Sequence, residues 1–133
     1  MDILRLLKKE EGYSRNVYLC STGHPTIGYG RKLDGTSGIT KAEAEYLLKR
    51  DVERIESALI RKIDWYEDLS ETRQGILICM SYQMGIHGLL CFKRMLNAMK
   101  HKEWEAARNE GLMSLWNAQT PERAEKLMFL MLD

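Results

Sequence analysis

Val17-Tyr18-Leu19-Cys20-Ser21-Thr22-Gly23-His24-Pro25-Thr26-Ile27-Gly28-Tyr29 is the stretch whose reading decides the fold class. Val17-Tyr18-Leu19 at one end and Thr26-Ile27-Gly28-Tyr29 at the other are β-branched or aromatic in character, which suits a pleated surface. Between them Ser21 to Pro25 is made of turn formers. Glycines at 28, 30, 35 and 38 predict tight turns or close backbone approaches. A small antiparallel sheet is therefore predicted over residues 16–34, inside a chain whose remaining patterns are helical.

Before the sheet, residues 2–11 read as a short helix, with Asp2 as N-cap, Ile3, Leu4, Leu6 and Leu7 on one face, and Gly12 as the stop. That places Glu11 at the helix C-terminal end, where the dipole disfavours a negative charge. After the sheet, Thr40-Lys41-Ala42-Glu43 has the capping-box pattern. Ala44, Leu47, Leu48, Val52, Ile55 and Leu59 continue that helix to about residue 62. From Ser70 onward helices are predicted over about 70–84, 88–100, 103–113 and 121–132, broken at Gly85, Gly88, Gly111 and Thr120-Pro121. Thr120 is expected to cap a helix that opens on Pro121. The predicted class is α+β: one domain over residues 1–133, with an α+β lobe at 1–38, a connecting helix at 39–62 and a helical lobe at 63–133. A groove between such lobes is the natural substrate site.

Composition narrows the function. The 133 residues are 44% hydrophobic and 29% charged with two prolines, an ordinary globular balance rather than a disordered one. Net charge is +1, and no basic block exists that could track phosphates, so nucleic acid is not an expected partner. No apolar run approaches the roughly 18 residues of a membrane span, and no secretory leader is read at the start. Three cysteines, Cys20, Cys79 and Cys91, do not make a disulfide framework. Cys79, in the run Ile76-Leu77-Ile78-Cys79-Met80, is expected in the core. His24, His87 and His101 do not combine with thiols or carboxylates at ligand spacings, so neither metal nor cofactor is predicted.

The stretch from Glu11 to Arg31 resembles the catalytic region of the phage-type lysozymes, glycoside hydrolase family 24, whose members include the T-even bacteriophage lysozymes. The family pattern is a Glu, eight residues, an Asp or Cys, five residues and a Thr, met here by Glu11, Cys20 and Thr26. Tyr82-Gln83-Met84-Gly85, and Trp116 followed by Gln119-Thr120-Pro121 and Arg123-Ala124, match in the same order. The resemblance implies a lysozyme-like fold and an endolysin, a muramidase cutting the β-1,4 bond between N-acetylmuramic acid and N-acetylglucosamine. It implies a monomer acting on peptidoglycan strands, released from the host cytoplasm to the wall by a separate holin-type pore.

By the same resemblance, Glu11 is the general acid, Thr26 holds the attacking water, and position 20 activates that water or stabilises an oxocarbenium-like transition state. Many members carry aspartate where this chain has Cys20. A thiol can replace it only as thiolate, and an unperturbed cysteine, with a pKa of about 8.5, is only a few per cent ionised at pH 7. Three readings of Cys20 stand: a base activated by local donors, a nucleophile forming a thioglycosyl intermediate, or a neutral bystander. Gly30, Lys32, Tyr82, Gln83, Met84, Gly85 and Phe92 are candidates for lining the sugar groove, since amide hydrogen bonds and apolar platforms together bind sugars. Arg123 resembles the family arginine that pairs with the catalytic glutamate. Two rival functions remain, a lytic transglycosylase, which needs one acid/base glutamate, and an inactive peptidoglycan-binding module.

Overall fold

The structure is a computed structural model and describes residues 1–35 and 38–133. Residues 36 and 37, inside the expected first lobe, lie outside the described residues. The chain divides into two compact units, Met1–Ala44 and Glu45–Asp133. The architecture is α+β, as expected, with the sheet in the first unit and helices dominating the second.

In the first unit, α1 covers Ile3–Glu11. The Asp2 carboxylate accepts from the Arg5 N–H at 3.1 Å, satisfying one of the free amides of the first turn. Gly12 ends the helix at φ 71°, its N–H returning to the Lys8 carbonyl. Strands β1 (Ser14–Leu19), β2 (Pro25–Gly28) and β3 (Arg31–Lys32) form an antiparallel sheet in the order β1-β2-β3. Tyr18 lies opposite Thr26 and Leu19 opposite Pro25 in one pair, and Thr26 lies opposite Lys32 in the other. Thr26 is therefore the middle residue of a three-strand row, and at 1% exposure it is the buried side chain of the described part of this unit.

Helix α2 covers Lys41–Lys62. Its capping box forms as expected: the Glu43 N–H donates to the Thr40 hydroxyl, and the Thr40 N–H donates to the Glu43 carboxylate. A short 3-10 turn at Tyr66–Asp68, which periodicity had no way to mark, follows. Its Tyr66 is 1% exposed and donates its hydroxyl to Glu56 at 2.7 Å. Burial, and then the Glu56 contact, push the Tyr66 phenol well above its ordinary pKa.

Helix α3 covers Glu71–Leu90, α4 Lys93–Lys100, α5 Trp104–Leu112, α6 Leu115–Gln119 and α7 Pro121–Leu130. Several expected breaks move. Gly85 does interrupt the helix, at φ 82° and ψ 159°, but the chain resumes helical form to Leu90. Gly88 is no break; it sits in the helix because Met84 lies over it, and a methyl there would come 3.0 Å from Met84 Cγ. A second interruption falls at Cys91–Phe92. Gly111 is likewise a buried helix residue, its vacant side occupied by Met128.

The core of the second unit is built from Leu59, Ile76, Leu77, Met80, Leu89, Met95, Met99 and Met128, each 1% exposed or less. Cys79 corrects the expectation: it is exposed. Ile76, Leu77 and Met80 define the buried stripe, and at about 3.6 residues per turn Cys79 falls outside it, so an apolar run in the sequence is not an apolar cylinder. No single described helix is long and apolar enough to cross a membrane.

Candidate active site

Glu11 is the last residue of α1 and is exposed. Its place at the helix C-terminal end is the one expected, and the fold supplies a seat for it there. An ideal methyl on Gly30 would lie 2.5 Å from Glu11 Oε2 and 2.9 Å from Cδ, so the carboxyl rests directly on the glycine backbone. Gly30 also has φ 70°, so it is required twice, for conformation and for space. The end of α1 is tied to the same turn by Tyr29, whose ring lies 5.6 Å from Lys8 Nζ and 5.6 Å from the Tyr13 ring. Gly30→Ala is expected to displace the Glu11 carboxyl and cost roughly 1–2 kcal/mol in left-handed strain. Thermal unfolding should register that strain; an unchanged unfolding temperature would show that the position does not require glycine.

Cys20 opens the turn between β1 and β2 and is half-buried. Its Sγ lies 3.1 Å from Thr22 Oγ1 and accepts from the His24 N–H at 3.4 Å. These donors, the Thr22 hydroxyl first and the His24 and Thr22 backbone amides next, bring the Cys20 pKa down to about 6, against a small opposing effect of burial. The Thr26 hydroxyl donates to the His24 carbonyl at 2.8 Å. The turn thus joins Cys20 and Thr26 through one residue, His24. Neither Thr22 nor His24 was singled out from the sequence for this chemistry. Lys32, on β3, is exposed.

In the second unit the residues expected to line a groove divide. Gln83, Met84 and Phe92 line a cavity of about 680 Å³ with Trp116. Phe92 meets Trp116 edge-on, with centroids 6.0 Å apart. Lys93, Arg94 and Glu110 also line it and were missed, because solvent-facing charges on a helix carry no local sign of a cavity. Tyr82, 53% exposed, and Arg123, in the first turn of α7, line a separate cavity of about 370 Å³ with Cys79. Gly85 sits at the α3 kink.

Gln83 has an additional duty. Its Oε1 accepts from Trp116 Nε1 at 3.0 Å and its Nε2 donates to the Thr120 hydroxyl at 3.2 Å. Thr120 Oγ1 donates to the Trp116 carbonyl at 3.1 Å. Thr120 occupies the N-cap of α7 but makes no side-chain cap bond, correcting the expected capping role. Its hydroxyl completes a ring that locks α3, α6 and the start of α7. Gln83→Leu leaves the partly buried indole N–H and hydroxyl without this partner, and should lower stability by about 1–3 kcal/mol in urea unfolding. An unchanged midpoint would mean that water substitutes fully.

A family model described as Phage lysozyme matches residues 8–128. The chain is 30% identical over 159 residues to the pre-baseplate central spike protein Gp5 of Enterobacteria phage T4, covering 99% of this chain and 28% of that protein. It is 29% identical over 155 residues to "Probable T4-type lysozyme 1" of Dictyostelium discoideum, covering 92% of this chain and 89% of the other. Against the endolysin of Salmonella phage P22 it is 28% identical over 137 residues, covering 93% and 92%. The chain thus spans little more than a quarter of the spike protein but most of the other two.

Proposed function

Because the chain belongs to the phage lysozyme family and is a glycoside hydrolase of that type, we propose that it is a muramidase of bacterial peptidoglycan, with Glu11, Cys20 and Thr26 as its catalytic residues. The observation that carries the reading is the seat of Glu11 on Gly30, in the unit whose hairpin also bears the donor-rich Cys20 and Thr26. In this reading Glu11 gives its proton to the glycosidic oxygen as the C–O bond breaks. Water adds to the anomeric carbon, and the Cys20 thiolate takes the proton that water releases. Thr26 has committed its own proton to His24, so it meets that water as an acceptor. Direct attack by water predicts inversion at the anomeric carbon.

Met84, Phe92 and Trp116 supply an apolar platform in the second unit, which supports a glycan-holding role for that cavity. With an endolysin of a Salmonella phage among the similar proteins, we place the action at the wall, causing host lysis as a monomer, after release through a pore made by a separate holin-type protein. Lysis by this protein expressed without any such pore would count against that route. Finding the protein bound in purified virions would instead ally it with the spike relative.

The chemistry is tested by mass spectrometry of peptidoglycan digested in oxygen-18 water. Hydrolysis leaves a reducing muramic acid end carrying one heavy oxygen. A 1,6-anhydro end without label would replace the hydrolase by a lytic transglycosylase, and intact strands would leave a binding module.

A further inference from the structure

We propose that Thr22 and the His24–Asp34 pair are positioning residues, which together hold the Cys20 sulfur as a hydrogen-bond acceptor aligned with Thr26. The inference rests on the role given to Cys20 above and names residues which that reading leaves unused. A carboxylate accepts through two small oxygens, whereas cysteine offers a single large, soft sulfur. Substituting one for the other therefore requires donors arranged around the sulfur, since the thiolate and not the thiol can take a proton.

The hairpin turn supplies that arrangement. Thr22 Oγ1 stands 3.1 Å from Sγ, and the His24 N–H points at it from 3.4 Å. The His24 carbonyl receives both the Cys20 N–H at 3.0 Å and the Thr26 hydroxyl at 2.8 Å. One residue therefore grips the sulfur-bearing and hydroxyl-bearing positions together. His24 is in turn fixed by its ring, whose Nδ1 lies 2.9 Å from Asp34 Oδ2. Both side chains of that pair are nearly half exposed, so it adds little to stability; its effect is to hold the turn against the segment that follows β3. The Leu33 N–H, bonded to the Pro25 carbonyl at 2.8 Å, reinforces the same junction. The depressed Cys20 pKa, led by the Thr22 hydroxyl, agrees with this geometry. Titratable groups on the neighbouring elements include Asp34 and His24 themselves, Arg15 on β1, Arg31 and Lys32 on β3, with Lys32 opposite Thr26, and Glu11 over Gly30.

The test is the pH dependence of iodoacetamide alkylation at Cys20, followed by peptide mass spectrometry so that exposed Cys79 and Cys91 are counted separately. The full chain is compared with Thr22→Val, Thr22→Ser and Asp34→Asn. Wild type and Thr22→Ser should show a midpoint near 6. Thr22→Val should raise it by about one unit or more, and Asp34→Asn by less, with wall clearing at pH 6.5 down about threefold or more in Thr22→Val as the thiolate fraction falls. A Thr22→Val midpoint equal to wild type in a normally folded protein overturns the proposal. If Thr22→Val does not fold, an Asp34→Asn midpoint and clearing rate both equal to wild type overturn it in the same way. Midpoints that move while clearing stays at wild-type rate would instead remove Cys20 from the reaction, and the positioning role with it.

Discussion

Glu11→Gln is expected to lower the rate of peptidoglycan cleavage by about 10²–10⁴-fold, with the unfolding temperature essentially unchanged. Glutamine keeps the length and shape of the side chain and still fits over Gly30, where the carboxyl lies with no room for even a methyl beneath it. What it cannot do is release a proton to the departing sugar oxygen. Glu11 is exposed and takes no part in the packed core, so the substitution removes no buried contact. Loss of activity therefore reports chemistry rather than folding. The assay is turbidity clearing of permeabilised Gram-negative cells, with thermal unfolding as the control. A variant that retains more than about a tenth of wild-type clearing would mean that another group supplies the proton.

Cys20→Ala is expected to cost at least about tenfold, the lower range of a lost acid–base partner, and Cys20→Asp to retain much of the activity. The pH profile separates the readings of Cys20 more sharply than the rates. The thiol pKa is drawn down to about 6, so the sulfur is mostly ionised above that pH and takes up a proton below it. If the thiolate is the base, wild-type activity falls as pH drops through about 6. In Cys20→Asp the same limb should move down toward the ordinary aspartate value of about 3.9. A nucleophilic sulfur would share the wild-type limb but leave a thioglycosyl adduct, visible by mass spectrometry of quenched reactions as a sugar-sized increment on the Cys20 peptide. A bystander would leave the limb in place after substitution. Complete alkylation of Cys20 without loss of activity would end both catalytic readings.

The parts of the site that were legible in the sequence are those whose determinants lie close together along the chain. Asp2, Gly12 and the Thr40–Glu43 box act through hydrogen bonds three or four residues long, and each ends or starts a helix where the pattern predicts. The spacing of Glu11, Cys20 and Thr26 could be read because it resembles the pattern of the phage-type lysozymes, and not from helix or strand periodicity. The donors around Cys20 are also local, two and four residues away, yet residue type does not announce them. Thr22 and His24 look like ordinary turn residues until the turn's backbone directs them at the sulfur.

Where packing added to the reading, the deciding contact was mostly distant. Gln83 was expected to face sugar, and its amide is shared with Trp116 and Thr120, separated from it by 33 and 37 residues. Gly111 read as a break, but it is a place where the side chain of Met128, 17 residues away, lies against the helix; Gly88 also read as a break, and there the covering side chain, Met84, is one turn away in the same helix.

By itself the sequence determined an α+β chain with a capped first helix, a hairpin, and an acid, a thiol and a hydroxyl at set intervals. The helix and the hairpin follow from rotations and hydrogen bonds within a few residues, whereas the three side chains were read through a family resemblance. Only the tertiary structure decided that Gly30 lies under Glu11, that Cys79 turns away from the core, and that Gln83 braces three helices. Such outcomes depend on which remote surface fills the space beside a residue, and packing, unlike periodicity, leaves no mark on the order of amino acids.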